Sequence, residues 1–222
     1  MKTKMTPYYK IAFTFFVLSL TITLANGQEI VEKKNGGQKQ ASYLFASAGV
    51  SIPVGFIKNK SFSASTGPIL TLGYHYFFNE RWGMGIIANG SANKFKLTRD
   101  PYSTYTTSDN WWIAQLHVTA SYTPVLKKRW AIDIVQGLGV FYLKEPSYSY
   151  YIASINTTYH SDGINDWNTG YTIGAKGRVL IQEKISLYAS VNYFYTLSVR
   201  SNGARGFNSL NCELGVALNL KK

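Results

Sequence analysis

The chain has 222 residues, enough for one domain with a sizeable core. Aromatic residues make up 15% of it, with 17 Tyr, while charged residues are only 15% and Gly outnumbers Pro 19 to 6. That composition is foreign to an ordinary soluble globule and suits strands whose outer surface meets hydrocarbon. The formal net charge is +12, but the bases are scattered through turns and loops. This speaks against nucleic acid and points to anionic lipid headgroups or lipopolysaccharide phosphate as the partner of that charge.

Residues 1–27 read as a cleaved secretory signal peptide. Lys2, Lys4 and Lys10 form the positive region, Ile11 to Leu24 the apolar run, and Ala25-Asn26-Gly27 the small-x-small cleavage site. The apolar run is shorter than the roughly 20 residues a helical span needs. Residues 28–41 are a polar, flexible lead-in, and 42–222 form a single β domain.

From Ser42 onward the hydrophobic period is two, the signature of β-strands. The first strand runs to about Val54, with Leu44, Ala46, Ala48, Val50 and Ile52 on one face against Ser47, Gly49 and Ser51. The second covers about 67–78, with Leu70, Leu72, Tyr74 and Tyr76 against Thr71, Gly73 and His75. A tight Asn79-Glu80-Arg81 turn leads to the third strand at Trp82, in which Ile87 breaks the alternation. A polar loop over 98–110 precedes the fourth strand, Trp111 to about Val125. The Lys127-Lys128-Arg129 turn then leads into the fifth strand at Trp130, with Gln136 as its misfit. Residues 144–166 are the longest loop. The sixth strand spans about 167–181, and the Gln182-Glu183-Lys184 turn opens the last hairpin, Ile185 to Leu220.

These are eight strands joined alternately by short turns and longer loops, each strand exceeding the roughly 9–11 residues needed to cross a bilayer at a tilt. The expected fold class is an all-β, eight-stranded antiparallel up-and-down transmembrane β-barrel, with the apolar face on lipid and the small and polar face in a lumen. Cys212 is the only cysteine, so no internal disulfide forms, and its parity puts it on the apolar face. Aromatics gather at strand ends in two predicted girdles: Trp82, Trp130 and Tyr122 by the short turns, and Trp111, Trp112 and Trp167 by the loops.

The signal peptide, the Gly-Val-Ser-Ile-Pro-Val-Gly segment at 49–55, the Asn-Glu-Arg-Trp and Lys-Lys-Arg-Trp turns and the alternating strands resemble the small porin-like outer-membrane β-barrel proteins of Gram-negative bacteria. The architecture is similar to that of the OmpA transmembrane barrel and OmpX. The resemblance implies an outer-membrane location, outer-membrane lipid and lipopolysaccharide and the assembly machinery as partners, and a monomer. It names no surface ligand. The chain ends Leu220-Lys221-Lys222 rather than on the aromatic residue such barrels often carry, and no second domain follows the last strand, so peptidoglycan binding is not implied.

Parity places Asp133, Arg178, Lys176, Glu213 and His117 in the lumen, with His75, Asn89, Gln115 and Asn192. Asp133 lies four residues after Arg129 and Arg178 four before Gln182, which predicts an Asp133–Arg178 ion pair with Lys176 and Glu213 one layer above. An eight-stranded barrel is only wide enough for its own side chains, which favours a plug over a gated conduit. Tyr148, Tyr150, Tyr151 and Tyr159 of the long loop form either a binding face or a hairpin extended above the membrane. No Ser–His pair falls on the lipid face, so no enzyme is expected, and no cofactor. Asp162-Gly163-Ile164-Asn165-Asp166 lacks the spacing of a calcium loop, and no metal site is expected. The expected role is structural or surface interaction through the loops. The alternatives are a narrow solute conduit and a soluble lipocalin-like barrel with an apolar ligand inside.

Overall fold

The computed structural model describes residues 42–57, 62–97, 103–106, 110–127, 129–152, 155–163, 165–182, 184–197 and 206–220. The signal peptide and the lead-in, and the Lys221-Lys222 end, lie outside them. In chain order the strands are β1 (Ser42–Ile57), β2 (Phe62–Ala64), β3 (Gly67–Phe77), β4 (Trp82–Leu97), β5 (Ser103–Thr106), β6 (Asn110–Leu126), β7 (Trp130–Lys144), β8 (Tyr148–Ile152), β9 (Thr157–Ser161), β10 (Asn165–Gln182), β11 (Ile185–Thr196) and β12 (Gly206–Leu220).

Eight of these form a closed antiparallel barrel. Each long strand pairs with the next, β1–β3–β4–β6–β7–β10–β11–β12, and β12 returns to pair with β1 from Ser42↔Leu220 to Ile57↔Gly206. Closure leaves no sheet edge, which is what lets a sheet sit in a medium that offers backbone groups no hydrogen bonds. Of the three in-strand prolines, Pro53 and Pro124 fall at register shifts of β1 and β6, and Pro68 is the second residue of β3. The first short turn is fixed by Asn79, whose Oδ1 accepts from the backbone N–H of both Arg81 and Trp82 at 2.8 Å.

The wall is inverted relative to a soluble protein. Leu70, Leu72, Ile86, Leu116, Val191 and Leu214 point outward and are exposed, while Ser51, Thr71, Thr119 and Asn211 are buried. This is the polarity of a transmembrane barrel. It excludes the lipocalin-like arrangement, which needs the large aliphatic side chains inside.

The interior differs from the expected row of small and polar side chains. Tyr43, Phe45, Phe77 and Tyr188 form one buried apolar cluster, against which Ile87 packs, and this explains the break in alternation on β4. Trp111, Ile113, Phe141, Leu143, Phe194 and Phe207 form a second. Trp111 is a correction to the predicted girdle. It is wholly buried inside the barrel, and Trp112, one residue on, faces out. Gln136, the misfit on the outer face, accepts a hydrogen bond from Tyr171 Oη at 3.1 Å.

The long loops carry further pairing. β2 extends β4, and β5, β8 and β9 form a separate three-stranded antiparallel sheet in the segments expected to be loop. Within residues 144–166, β8 and β9 pair as a hairpin, from Tyr148↔Ser161 to Ile152↔Thr157.

Candidate functional site

The lumen is built in layers. In the polar layer, Arg178 Nε donates to Asp133 Oδ2 at 2.6 Å and its Nη2 to Oδ1 at 3.0 Å, a bidentate pair. Thr123 Oγ1 donates to the same Oδ1 at 2.7 Å. Asp133 is 1% exposed, so the carboxylate is held by protein donors alone. The guanidinium also lies over the rings of Tyr43 and Phe77, 5.2 and 5.0 Å from their centroids.

Lys176 and Glu213 stand in one register row through Ser190, two residues toward the loop end from Arg178, and Lys176 is also directly opposite Asp133 on β7. Among the described residues it forms no ion pair; its ammonium sits 3.8 Å from the centre of the Phe45 ring and 4.8 Å from that of Tyr188. Glu213 instead accepts from Ser47 Oγ at 2.7 Å. The aromatic rings beside Lys176 take up its charge through their π faces, an arrangement that a lumen of small and polar groups alone would not offer. His117 Nε2 is hydrogen-bonded to Gln115 Oε1 at 3.2 Å, and its ring meets Phe194 edge-on. His75 Nε2 is hydrogen-bonded to Ser121 Oγ at 2.7 Å.

Lys176, Glu213, Thr71, His117 and Asn211 border a cavity of about 30 Å³. That volume holds about two water molecules. Among the described residues Thr71 Oγ1, His117 Nδ1 and Asn211 Oδ1 have no protein partner, so they and the two charges are the groups such waters would satisfy. A recess of about 770 Å³ lies on the outer wall between Leu44, Ala46, Leu72, Ile86 and Val216. It belongs to the hydrocarbon-facing surface and not to the lumen.

The outward aromatics lie in two bands. Trp82 and Tyr122 are register partners on β4 and β6 with rings 4.4 Å apart, and Trp130 is exposed nearby on β7. At the other end Trp112 and Trp167 are exposed, and Trp167 packs 5.2 Å from Tyr142.

In the outer sheet Tyr105, Tyr150 and Tyr159 occupy one register row across β5, β8 and β9. The four predicted tyrosines do not make one face. Tyr151 pairs with Thr158, one residue before Tyr159, so strand alternation puts Tyr151 and Tyr159 on opposite sides. Tyr151 Oη donates to Asn156 Oδ1 at 2.6 Å across the hairpin end, where Asn156 takes the positive φ of 50° that asparagine tolerates. Tyr148 and Tyr150 lie on β8 in the same sheet.

The same hairpin holds a feature that sequence spacing did not show. Ser149 Oγ is hydrogen-bonded to His160 Nδ1 at 2.8 Å, and His160 Nε2 lies 3.3 Å from Asp162 Oδ1. The pairing Ser149↔His160 across β8 and β9 brings them together. The order resembles a nucleophile–base–acid chain, but the His and Asp side chains are 62% and 96% exposed. An acyl-transfer site works by holding donors in a water-excluded pocket. Here the group stands on an open surface. Among the described residues no cluster of His, Cys, Asp and Glu has the geometry of a metal site.

No protein-family model matches the chain, and no curated protein matches it. Solved structures do. The chain is similar to a major outer membrane protein from Thermus thermophilus, with 13% identity and a TM-score of 0.53, over 82% of this chain and all of that one. It is similar to the N-terminal β-barrel domain of Pseudomonas aeruginosa OprF, with 13% identity and a TM-score of 0.50, again over 82% of this chain and all of that domain. At that identity the likeness is one of fold, and the fold is the eight-stranded outer-membrane barrel.

Proposed function

We propose that this chain is an integral outer-membrane protein whose lumen is structural and whose contacts are made by its outer sheet. The observation that supports the proposal is the filling of the described bore: two clusters of buried rings occupy it beside the charged groups, and the cavity bordered by Lys176 and Glu213 is about 30 Å³. A conduit needs a continuous wet path and a ligand-binding barrel an apolar chamber; rings and paired charges among the described residues support neither. The outer sheet supplies what the lumen does not. Tyr151, Thr157, Thr158 and Tyr159 of its hairpin are placed where Tyr supplies amphipathic contact area at low entropic cost.

On this proposal the N-terminal segment directs export, the assembly machinery inserts the barrel, and the protein works as a monomer without cofactor or chemistry. The test is fractionation of expressing cells with boiled and unboiled samples on a denaturing gel. The expected result is a carbonate-resistant outer-membrane band whose mobility shifts on heating. A soluble periplasmic band without a shift would overturn it. In planar bilayers the refolded protein should show no steady conductance.

A further inference from the structure

The β8–β9 hairpin gathers polar side chains on one of its two faces. Ser149 and Tyr151 reach that face from β8, and their register partners His160 and Thr158 reach it from β9. Asp162 joins them through its contact with His160, and Asn156 through its bond with Tyr151 at the hairpin end. Tyr151 is half-buried, while Asn156, Thr158, His160 and Asp162 are exposed. The set is one aromatic ring among polar groups, and it includes neither Lys nor Arg.

Two contacts fix these groups before anything binds. Ser149 Oγ is hydrogen-bonded to His160 Nδ1, which orients the imidazole and sets its Nε2 3.3 Å from Asp162 Oδ1. Tyr151 Oη occupies the Asn156 carbonyl, so the amide offers its Nδ2 as a donor. Tyr151 and His160 are diagonal neighbours across the two strands, about 7–8 Å apart. Groups held in place by their own neighbours lose little freedom when a ligand arrives.

The chemistry of the face selects its ligand. A protein partner is held by a cluster of desolvated apolar anchors, and this face has a single ring. A sulfated or phosphorylated ligand would meet the Asp162 carboxylate with no base on the face to offset the repulsion. A neutral sugar matches both features. Its C–H face stacks on an aromatic ring, and each of its hydroxyls donates one hydrogen bond and accepts others. Adjacent hydroxyls of one pyranose lie close enough together to bond the His160–Asp162 pair at once.

We infer that this face binds a neutral pyranose of an oligosaccharide, with the sugar ring on Tyr151 and its hydroxyls on Asn156, Thr158, His160 and Asp162. The inference rests on the outer sheet being the contact surface, and it names the ligand class and the face that takes it.

The test uses the full refolded protein in phosphatidylcholine nanodiscs, free of sugar-based detergent. The probes are immobilised oligosaccharides ending in glucose, galactose, mannose or N-acetylglucosamine, with heparin and sialylated glycans beside them. The expected result is binding to at least one neutral glycan and none to heparin or the sialylated set. On the neutral glycan bound most tightly, Tyr151→Ala and Asp162→Asn should each weaken binding about tenfold, through lost stacking and a lost charge-assisted hydrogen bond. Tyr159→Ala, on the opposite face of the hairpin, should leave it unchanged. Each variant is first shown to keep the heat-dependent gel shift. The site is overturned if no neutral glycan binds, if heparin or a sialylated glycan binds more tightly than every neutral one, or if Tyr159→Ala loses as much as Tyr151→Ala. A heat-shifting outer-membrane protein that binds no neutral glycan overturns the site and leaves the membrane reading standing. A soluble periplasmic band without a shift overturns both.

Discussion

Replacing Asp133 by Ala removes the acceptor of three hydrogen bonds, two from Arg178 and one from Thr123. The arginine cannot follow its charge out to water, because Tyr43 and Phe77 lie over it and the side chain is only 18% exposed. A buried pair broken on one side leaves an uncompensated charge, which costs about 3–5 kcal/mol. Arg178→Met alone strands the carboxylate instead and should cost a similar amount. The double variant Asp133→Leu/Arg178→Met removes both charges and should recover to within about 1 kcal/mol of the parent, since apolar replacement of a whole buried pair is close to neutral. The assay is reversible urea unfolding of the barrel in lipid vesicles, followed by tryptophan emission, with the three variants compared at one vesicle composition. Single-variant losses below about 1 kcal/mol, or a double variant whose loss equals the sum of the singles, would refute the pair as a desolvated, mutually dependent unit.

Other variants probe the remaining layers. A Cβ at Gly85 would stand 2.7 Å from His75 Nδ1 and 2.5 Å from the Tyr74 carbonyl, so Gly85→Ala should lower the urea midpoint by about 1–3 kcal/mol of stability, as overpacked sites do. Phe141→Ala opens the loop-end cluster and should cost about 3–5 kcal/mol in the same assay. In single-tryptophan variants, brominated acyl chains should quench Trp112, Trp130 and Trp167 and spare Trp111; equal quenching of Trp111 and Trp112 would invalidate the assignment of inside and outside. A fluorophosphonate probe should leave Ser149 unlabelled, and His160→Ala should shift stability by less than about 0.5 kcal/mol, as expected of an exposed substitution.

The fold was legible because a membrane wall imposes its polarity at every second residue. Leu44, Ala46, Ala48, Val50 and Ile52 declare one face of β1, and a one-residue slip would turn all five inward. The Asp133–Arg178 contact followed from equal offsets to two turns, since offset measures height in an up-and-down barrel. Offset also put Lys176 and Glu213 in one row, but it says nothing of what occupies the bore around them. The occupants are rings, and their signal was present as glycine. Phe45 lies directly across from Gly73, where a Cβ would collide with its ring, and Gly170 makes the same room for Phe194. A residue without a side chain on the neighbouring strand leaves room for such a ring. The outer sheet was illegible for the opposite reason. β5, β8 and β9 are four or five residues long and carry Tyr, Ser and Thr without alternation, so no polarity marks their faces.

These features divide the molecule's work along its axis. The charged groups Asp133, Arg178, Lys176 and Glu213 share one narrow layer, and each is met by a hydrogen bond or a ring. The rings of Tyr43, Phe45, Phe77 and Tyr188 lie against Lys176 and Arg178, and Trp111, Phe141, Phe194 and Phe207 form a second buried cluster. Opening a path through the bore means breaking an aromatic cluster and rehydrating a buried ion pair together, each at a cost of several kcal/mol. A bore this expensive to open contributes rigidity, which is why the proposed contacts are placed on the outer sheet. The substitutions that test recognition therefore belong on that sheet, where changes leave the barrel's stability untouched. Changes inside the barrel report on folding.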